Sequence, residues 1–188
     1  MVNINELKKT IKIENVVVST TIGTRLDLDE VINILEEANY NKKKFPGIVY
    51  RTISPKMVLL IFRSGKIVCT GTKSFEDARV GLSKTFEKLK TISVDIPMNP
   101  DIEIHNIVAT ADLGRVLNLD AITFGLGLEN IEYEPEQFPC LVYRVLDPKL
   151  VVLLFSSGKV VITGGKKLED VEVAMGKVMI KLDGLGLL

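Results

Sequence analysis

One segment of this 188-residue chain occurs twice. Residues 45–78 read FPGIVYRTISPKMVLLIFRSGKIVCTGTKSFEDA, and residues 138–171 read FPCLVYRVLDPKLVVLLFSSGKVVITGGKKLEDV. At a constant offset of 93, the two segments share 19 of 34 residues. Any fold that this chain adopts must therefore hold two closely similar copies of one unit.

An upstream block repeats as well, at an offset of 91. The matched positions are Asn15, Val16, Val17 and Gly23 with Asn106, Ile107, Val108 and Gly114. Two copies are too few for an open solenoid, so we predict a closed object with pseudo-twofold symmetry, which suits a roughly twofold ligand. The first repeat is predicted to span residues 1–97 and the second residues 98–188, with the division near Pro97 and Pro100.

Hydrophobic periodicity predicts the same order of elements in each repeat: strand, helix, three strands, helix. In the first repeat we predict strands at Ile13–Thr20, Ile48–Ile53, Met57–Phe62 and Lys66–Gly71, and helices from Asp27 or Asp29 to Ala38 and from Ser74 to Leu89. In the second we predict strands at Ile102–Thr110, Leu141–Leu146, Leu150–Phe155 and Lys159–Gly164, and helices at Asp120–Leu128 and Leu168–Leu182. This order predicts an α+β fold with an antiparallel sheet.

The predicted strands carry apolar side chains on both faces. Val58, Leu60 and Phe62 alternate with Met57, Leu59 and Ile61, and Val151, Leu153 and Phe155 repeat the pattern. The few predicted helices can cover one face, so the other apolar face is predicted to be exposed and to bind a partner. The alternative is a three-layer domain in which both faces are buried.

Several functional classes lack support in the sequence. The formal net charge is zero, which argues against a purely electrostatic nucleic-acid binder. Gly125 and Gly127 do not complete a dinucleotide-binding motif, and we find no metal-ligand cluster and no nucleophile beside a base. The two cysteines, Cys69 and Cys140, are isolated and read as reduced structural thiols. We therefore predict that the protein is not an enzyme and needs no cofactor or metal.

The sequence also bears on location. The first residues, MVNINELKKT, lack the apolar core of a signal peptide, and no apolar run reaches the roughly 18 residues of a membrane span. An intracellular protein without a membrane partner is expected. The single histidine, His105, adjoins Asn106, and alternation predicts that it points to the helix-covered face in a structural role.

Three spaced motifs, each present in both repeats, resemble the TATA-binding protein core domain of the archaeal type. They are the Asn-x-Val of the first strand, the Phe-Pro turn, and a run that reads LIFRSGKIVCTG and LLFSSGKVVITG. The resemblance extends from about Ile11 to Leu182. It implies a pseudo-twofold saddle: a curved antiparallel sheet whose concave face binds the DNA minor groove, with helices on the convex face. It also implies a cytoplasmic, nucleoid-associated transcription initiation factor of an archaeal cell.

The resemblance assigns most DNA contacts to the concave face. Asn15 and Asn106 would donate hydrogen bonds to adenine N3 and thymine O2, and Thr70 and Thr163 can also donate. The apolar floor would consist of Val17, Leu60, Val68, Val108, Leu153 and Val161. A floor without hydrogen-bonding groups disfavours the guanine N2 amino group, so a preference for A·T pairs is expected.

Bending and phosphate binding are assigned in the same way. In the family, two phenylalanine pairs insert into base steps and unstack them, and here they would be Phe45 with Phe62 and Phe138 with Phe155. Eight basic positions match pairwise and are expected to contact phosphates: Arg51, Lys56, Lys66 and Lys73, with Arg144, Lys149, Lys159 and Lys166. The paired placement reconciles DNA binding with zero net charge.

The turns before the two Phe-Pro motifs differ in charge. Lys42, Lys43 and Lys44 precede the first, whereas Glu132, Glu134 and Glu136 precede the second. By resemblance, Glu134, Glu136 and Gln137 would contact transcription factor B, which leads to the RNA polymerase pre-initiation complex. Self-association of the apolar faces into a homodimer without DNA is left open.

Two other functions fit parts of the pattern. The first is a curved-sheet carrier of an apolar small ligand, although such a carrier has no need of eight paired basic residues. The second is a sheet-surface RNA binder, which would place aromatic residues at mid-sheet rather than near the turns.

Overall fold

The computed structural model describes residues 9–188, which form two compact units. The first-repeat unit consists of Asn15–His105. The second-repeat unit consists of Asn106–Leu188 together with the described residues up to Glu14. The predicted repeat boundary between residues 97 and 98 stays a prediction.

The first-repeat unit contains one antiparallel sheet and two helices. Along the chain, the elements are β1 (Lys12–Thr21), α1 (Leu28–Ile34), β2 (Ala38–Asn39), β3 (Gly47–Ile53), β4 (Lys56–Phe62), β5 (Lys66–Thr72) and α2 (Phe75–Lys90). The strand order is β2-β3-β4-β5-β1, and the start of β1, up to Glu14, belongs to the second-repeat unit. Asp27 caps α1 and Ser74 caps α2 through side-chain oxygens.

The second-repeat unit has the same arrangement. Its elements are β6 (Ile102–Asp112), α3 (Leu119–Leu126), a 3₁₀ turn (Leu128–Asn130), β7 (Ile131–Glu132), β8 (Cys140–Leu146), β9 (Lys149–Phe155), β10 (Lys159–Gly165) and α4 (Leu168–Gly184). The strand order is β6-β10-β9-β8-β7, and the start of β6, up to His105, belongs to the first-repeat unit. The predicted α+β class, antiparallel sheet and repeated element order are confirmed.

Two predicted helices end earlier than expected. The first stops at Ile34 instead of Ala38, because Ala38 and Asn39 pair with β3 as a short strand. The helix predicted to reach Leu128 stops at Leu126, because Gly127 has a φ of 78°, which ends a right-handed helix. The short strands β2 and β7 were not predicted.

Each sheet buries one face under its helices. In the first-repeat unit the buried strand residues include Met57, Leu59, Ile61, Ile67 and Cys69, and α2 packs Ala78, Leu82, Phe86 and Leu89 inward. The second-repeat unit buries Val152, Leu154, Val160 and Ile162 and packs them near Ala174, Met175, Val178 and Leu182 of α4. No helix within residues 9–188 is both long and apolar enough to span a membrane.

The repeated Ser-Gly-Lys turn has a steric cause. Gly65 and Gly158 adopt φ values of 83° and 87°, a region that L-residues rarely occupy. A Cβ at Gly65 would also lie 2.3 Å from the carbonyl oxygen of Thr24. Both turns therefore require glycine. Because the geometry of a turn fixes the register of its hairpin, these turns also fix how β4 pairs with β5 and β9 with β10.

Candidate nucleic-acid interface

The strand face opposite the helices is partly exposed in each unit, and we call it the open face. Along β4, buried and half-buried residues alternate, so that Val58, Leu60 and Phe62 belong to the open face. Strand β9 has the same alternation, with Val151, Leu153 and Phe155 half-buried. The predicted exposed apolar face is confirmed within each unit, and the alternative of a sheet buried on both sides does not hold.

Sheet register aligns the predicted floor residues across the strands. Val49, Leu60, Val68 and Ser19 form a row in the first-repeat unit, since each lies directly opposite the next. Val142, Leu153, Val161 and Thr110 form the matching row in the second. Directly opposed residues share a face of the sheet. Val17 and Val108 are half-buried strand residues beside these rows.

Asn15 is held in one orientation by its neighbours. Its Oδ1 accepts the backbone N–H of Gly71 at 2.7 Å, and its Nδ2 donates to Thr70 Oγ1 at 3.1 Å. The Gly71 donor identifies Oδ1 as the acceptor end of the amide. One N–H of the amide nitrogen then remains for a further acceptor.

Asn106 has the same geometry in the other unit. Its Oδ1 accepts the backbone N–H of Gly164 at 2.7 Å, and its Nδ2 donates to Thr163 Oγ1 at 3.2 Å. Gly71 and Gly164 adopt φ values of 91° and 101° and stand where the ladder register shifts. The sequence motifs did not predict this orienting role for the two glycines. Their repetition in the Thr-Gly that ends the shared motif was the signal for them.

The two phenylalanine pairs differ. In the first pair, the ring centroids of Phe45 and Phe62 are 5.6 Å apart at an interplanar angle of 60°, and Phe45 is half-buried. In the second pair, Phe138 is 50% exposed, whereas Phe155 is more deeply buried. Within residues 9–188, the ring contact between Phe45 and Phe62 has no counterpart between Phe138 and Phe155.

The predicted phosphate-binding residues are exposed in both units. They are Arg51, Lys56, Lys66, Lys73, Arg144, Lys149, Lys159 and Lys166. Alternation along the strands gives Lys56 and Lys66 the parity of the open face, and Arg51 lies opposite Val58. Arg144 lies opposite Val151, but its guanidinium also donates to Glu132 Oε1, with an Nη2 distance of 2.9 Å. The matching position to Glu132 is Asn39, so this ion pair belongs to the second repeat.

The residues predicted to bind a protein partner are exposed in the turn between β7 and β8. Glu134, Glu136 and Gln137 all face solvent. The carbonyl oxygen of Glu134 accepts the backbone N–H groups of Gln137 and Phe138, each at 2.9 Å. In the matching turn, Lys42 forms an ion pair of 2.7 Å with Asp29, and this hydrogen bond raises the pKa of Lys42.

A further polar contact in each unit was also not predicted. Ser19 Oγ lies 2.6 Å from His105 Nε2, and Thr110 Oγ1 donates to Glu14 Oε1 at 3.2 Å. Ser19 is opposite Val68, so the histidine ring reaches a residue of the open-face row rather than the helix-covered side that alternation predicted. The offset of 91 pairs Ser19 with Thr110 and Glu14 with His105, and this alignment was the available signal.

Neither cysteine has the features of a reactive or metal-binding residue. Both are free and buried, and burial raises the pKa of the Cys69 thiol to about 11. Burial also raises the pKa of Cys140. In the part of the chain that the structure describes, no three His, Cys, Asp or Glu residues are grouped to hold a metal ion.

Two repeated units with open apolar faces, fixed amide donors and basic strand ends define a class of tandem-repeat nucleic-acid-binding protein. The family model of "Transcription factor TFIID (or TATA-binding protein, TBP)" matches residues 10–92 and 101–185. The chain belongs to the TATA-binding protein family, whose members are DNA-binding transcription factors and not enzymes.

Individual relatives agree with this family. The chain is 59% identical to TATA-box-binding protein E of Halobacterium salinarum over 181 residues, which cover 96% of this chain and 97% of the relative. It is 56% identical to a TATA-box-binding protein of Methanothrix thermoacetophila over 183 residues, covering 97% and 100%. The solved structure of Methanococcus jannaschii TBP matches with a TM-score of 0.85 at 55% identity, covering 93% of this chain and 98% of that one. These matches confirm the predicted fold class.

Proposed function

We propose that this protein is a general transcription initiation factor that binds the minor groove of promoter TATA-box DNA, bends it by phenylalanine insertion, and recruits transcription factor B and RNA polymerase. Family membership and relatives named for TATA-box binding support the initiation factor and the TATA-box ligand. The observation that supports recognition of base pairs in the minor groove is the pair of fixed asparagine amides on the open faces.

The amides match what an A·T minor groove offers. That groove presents acceptors, adenine N3 and thymine O2, and G·C pairs add a donor, guanine N2. Because Oδ1 of Asn15 and of Asn106 already accepts a glycine N–H, the free end of each amide is a donor. A donor fixed before DNA arrives needs no reorientation on binding, which preserves affinity.

The apolar rows supply the second part of the preference. Leu60 lies between Val49 and Val68 and Leu153 between Val142 and Val161, while the hydroxyls at the row ends, Ser19 and Thr110, already contact His105 and Glu14. A guanine amino group pressed against these rows would lose its hydrogen bonds to water without gaining a partner. The floor would therefore exclude G·C pairs, while the asparagines favour A·T pairs.

Bending is assigned to the phenylalanine pairs. Each pair couples a residue in the turn before β3 or β8 with the last residue of β4 or β9. Their position near the turns suits wedges that enter a base step. Unstacking a step costs a few kcal/mol, and the larger wrapped surface of bent DNA offsets this cost. Steps that unstack easily, such as TA, would bind best.

The basic strand ends supply a sequence-independent contribution. Exposed cations at matching positions of both units would contact the phosphates on either side of the groove, so binding should weaken as salt rises. The acidic turn at Glu134 and Glu136 has no part in this and stays available to transcription factor B. Location at the nucleoid and assembly with RNA polymerase follow from this function. Without DNA, the apolar open faces would support a homodimer, which sedimentation of the free protein tests.

Inosine substitution tests minor-groove reading directly. An I·C pair lacks the guanine N2 amino group, so it resembles A·T in the minor groove and G·C in the major groove. We expect a TATA duplex and its fully I·C-substituted counterpart to bind with similar affinity in a gel shift, and a G·C-substituted duplex to bind far more weakly. Strong binding to TATA with loss of binding to the I·C duplex would contradict the proposal.

Charge reversal tests the partner assignment. The double variant Glu134→Lys with Glu136→Lys should bind TATA DNA at least as well as the parent protein but fail to form the ternary complex with transcription factor B. Lys42→Glu with Lys44→Glu, in the matching turn, is the control and should retain the ternary complex. Loss of the complex in the control alone would assign the partner to the other turn.

A further inference from the structure

The two repeats carry different residues beneath their phenylalanine pairs. At the offset of 93, Gly47 of the first repeat matches Cys140 of the second. Gly47 lies directly opposite Phe62 in the sheet, and Cys140 lies directly opposite Phe155. Each residue therefore faces the strand-end phenylalanine of its own pair.

The ring contact of the first pair depends on the missing side chain at position 47. A Cβ built on Gly47 would lie 3.1 Å from ring carbons of both Phe45 and Phe62, and 2.9 Å from the carbonyl oxygen of Ile61. These separations are shorter than ordinary van der Waals contact. A Cβ at position 47 would therefore crowd both rings of the 5.6 Å ring pair.

In the second repeat the matching residue, Cys140, carries a side chain. Cys140 is 1% exposed, so its Cβ and Sγ lie inside the structure, next to the turn that carries Phe138. The backbone N–H of Cys140 donates to the carbonyl oxygen of Phe138 at 2.8 Å and closes a three-residue turn. Phe138 is 50% exposed, whereas its counterpart Phe45 is more deeply buried.

We propose that Gly47 and Cys140 occupy a positioning site. The residue there determines whether the phenylalanine of the turn packs on its ring partner or remains exposed. Gly47 lets Phe45 pack on Phe62, and the Cβ of Cys140 holds Phe138 away from Phe155. This inference rests on the proposed function for its consequence: Phe45 must leave its ring partner before it inserts, and Phe138 need not. The second repeat would therefore open its base step first.

The free protein tests the packing claim without DNA. Cys140→Gly removes the Cβ, while Cys140→Ala removes only the sulfur and is the matched control. We expect nuclear Overhauser contacts between the Phe138 and Phe155 rings in Cys140→Gly and none in Cys140→Ala. Gly47→Ala should remove the ring contacts between Phe45 and Phe62. Ring contacts that are the same in the glycine and alanine variants at position 140 would overturn the proposal.

Bending kinetics test the consequence. In a Phe45→Ala, Phe62→Ala background only the second pair can insert, so stopped-flow fluorescence transfer across a TATA duplex reports that pair alone. Cys140→Gly should slow bending roughly two- to tenfold, the range expected for breaking one aromatic ring pair, and Cys140→Ala should leave the rate unchanged. Equal rates in both variants would overturn the claimed consequence. If the parent protein binds TATA DNA without bending it, the proposed function is wrong, and the ring contacts in the free protein still decide the positioning claim.

Discussion

The asparagine sites of the two repeats are nearly superimposable in their contacts, whereas the phenylalanine sites are not. Each asparagine accepts a glycine N–H at 2.7 Å and donates to a threonine hydroxyl at 3.1 or 3.2 Å. The rings of the first phenylalanine pair are in contact, while Phe138 of the second pair is 50% exposed. The duplication has kept the groups proposed to read bases equal and let the groups proposed to bend DNA diverge.

This difference separates two kinds of constraint. A hydrogen bond to a base edge has a narrow geometry, so both copies must satisfy the same distances. A wedge needs only an apolar ring near a base step, and it tolerates different resting positions. Divergence at the proposed wedge can give a duplicated fold a preferred first contact without any change in the bases that we propose it reads.

Removal of each phenylalanine pair should have the largest effect. Phe138→Ala with Phe155→Ala should lower TATA affinity at least about tenfold and reduce the bend strongly, because two rings that we propose to contact bases are lost. Phe45→Ala with Phe62→Ala should reduce the final bend to a similar degree but slow its onset less. Gel shifts with end-to-end fluorescence transfer measure both quantities. Normal bending by either double variant would show that its pair is not a wedge.

The asparagines should respond equally in the two repeats. Asn15→Ala and Asn106→Ala should each cost about 1 kcal/mol of binding free energy, or roughly fivefold in affinity, through one lost hydrogen bond. Asn→Asp at either position should cost more, since a carboxylate can still accept the glycine N–H but would face the groove acceptors without a proton. Fluorescence anisotropy on one TATA duplex checks this. A tenfold difference between the two repeats would break the proposed equivalence.

The paired arginines should differ through Glu132. A plot of log affinity against log salt has a negative slope, and Arg51→Ala should reduce its magnitude by about 0.9, the value for one phosphate contact. Arg144→Ala should lower it less, because Glu132 holds the Arg144 guanidinium and competes with a phosphate. With Glu132→Gln, Arg144 should contribute to the salt dependence as much as Arg51 does. Salt titrations of all three variants measure these contributions. Equal slopes in the two arginine variants would indicate that the ion pair opens at no cost.

Helix capping should give the smallest difference, in stability alone. The Ser74 hydroxyl caps α2 by accepting the Asp77 N–H at 3.0 Å, whereas Lys167, at the matching position before α4, makes no side-chain cap. Ser74→Ala should lower the free energy of unfolding by about 1 kcal/mol, and Lys167→Ser should raise it by a similar amount. Urea denaturation measures both changes. DNA affinity should stay within twofold of the parent protein in both variants, and a larger loss would place these helix starts near the ligand.

The sequence predicted most of the fold because duplication doubles each local signal. Strands β3–β5 and β8–β10 lie within two residues of their predicted bounds, since period-2 alternation and the Ser-Gly turn fix them in both copies. The short strands β2 and β7 were missed because two-residue pairing leaves no periodic signal and depends on β3 and β8. Gly127 ended α3 through its backbone conformation, which apolar spacing does not report.

The sequence named candidate site residues, whose roles stay predictions, but it did not predict their geometry. Recurrence brought Asn15 and Asn106 forward, but the role of Gly71 and Gly164 in orienting their amides depends on a register shift that only coordinates show. The contrast between Gly47 and Cys140 was visible in the alignment. Its consequence required the positions of the rings, because a side chain as small as that of cysteine matters only where the neighbouring groups leave little room.

TATA-specific binding and bending can be measured together by end-to-end fluorescence transfer across a labelled TATA duplex, compared with a G·C-substituted duplex at several salt concentrations. We expect tight, salt-dependent binding with a large bend on the TATA duplex, and weak binding without a bend on the control. Equal weak binding to both duplexes without a bend would contradict this expectation, because the open faces would then have to serve a different ligand.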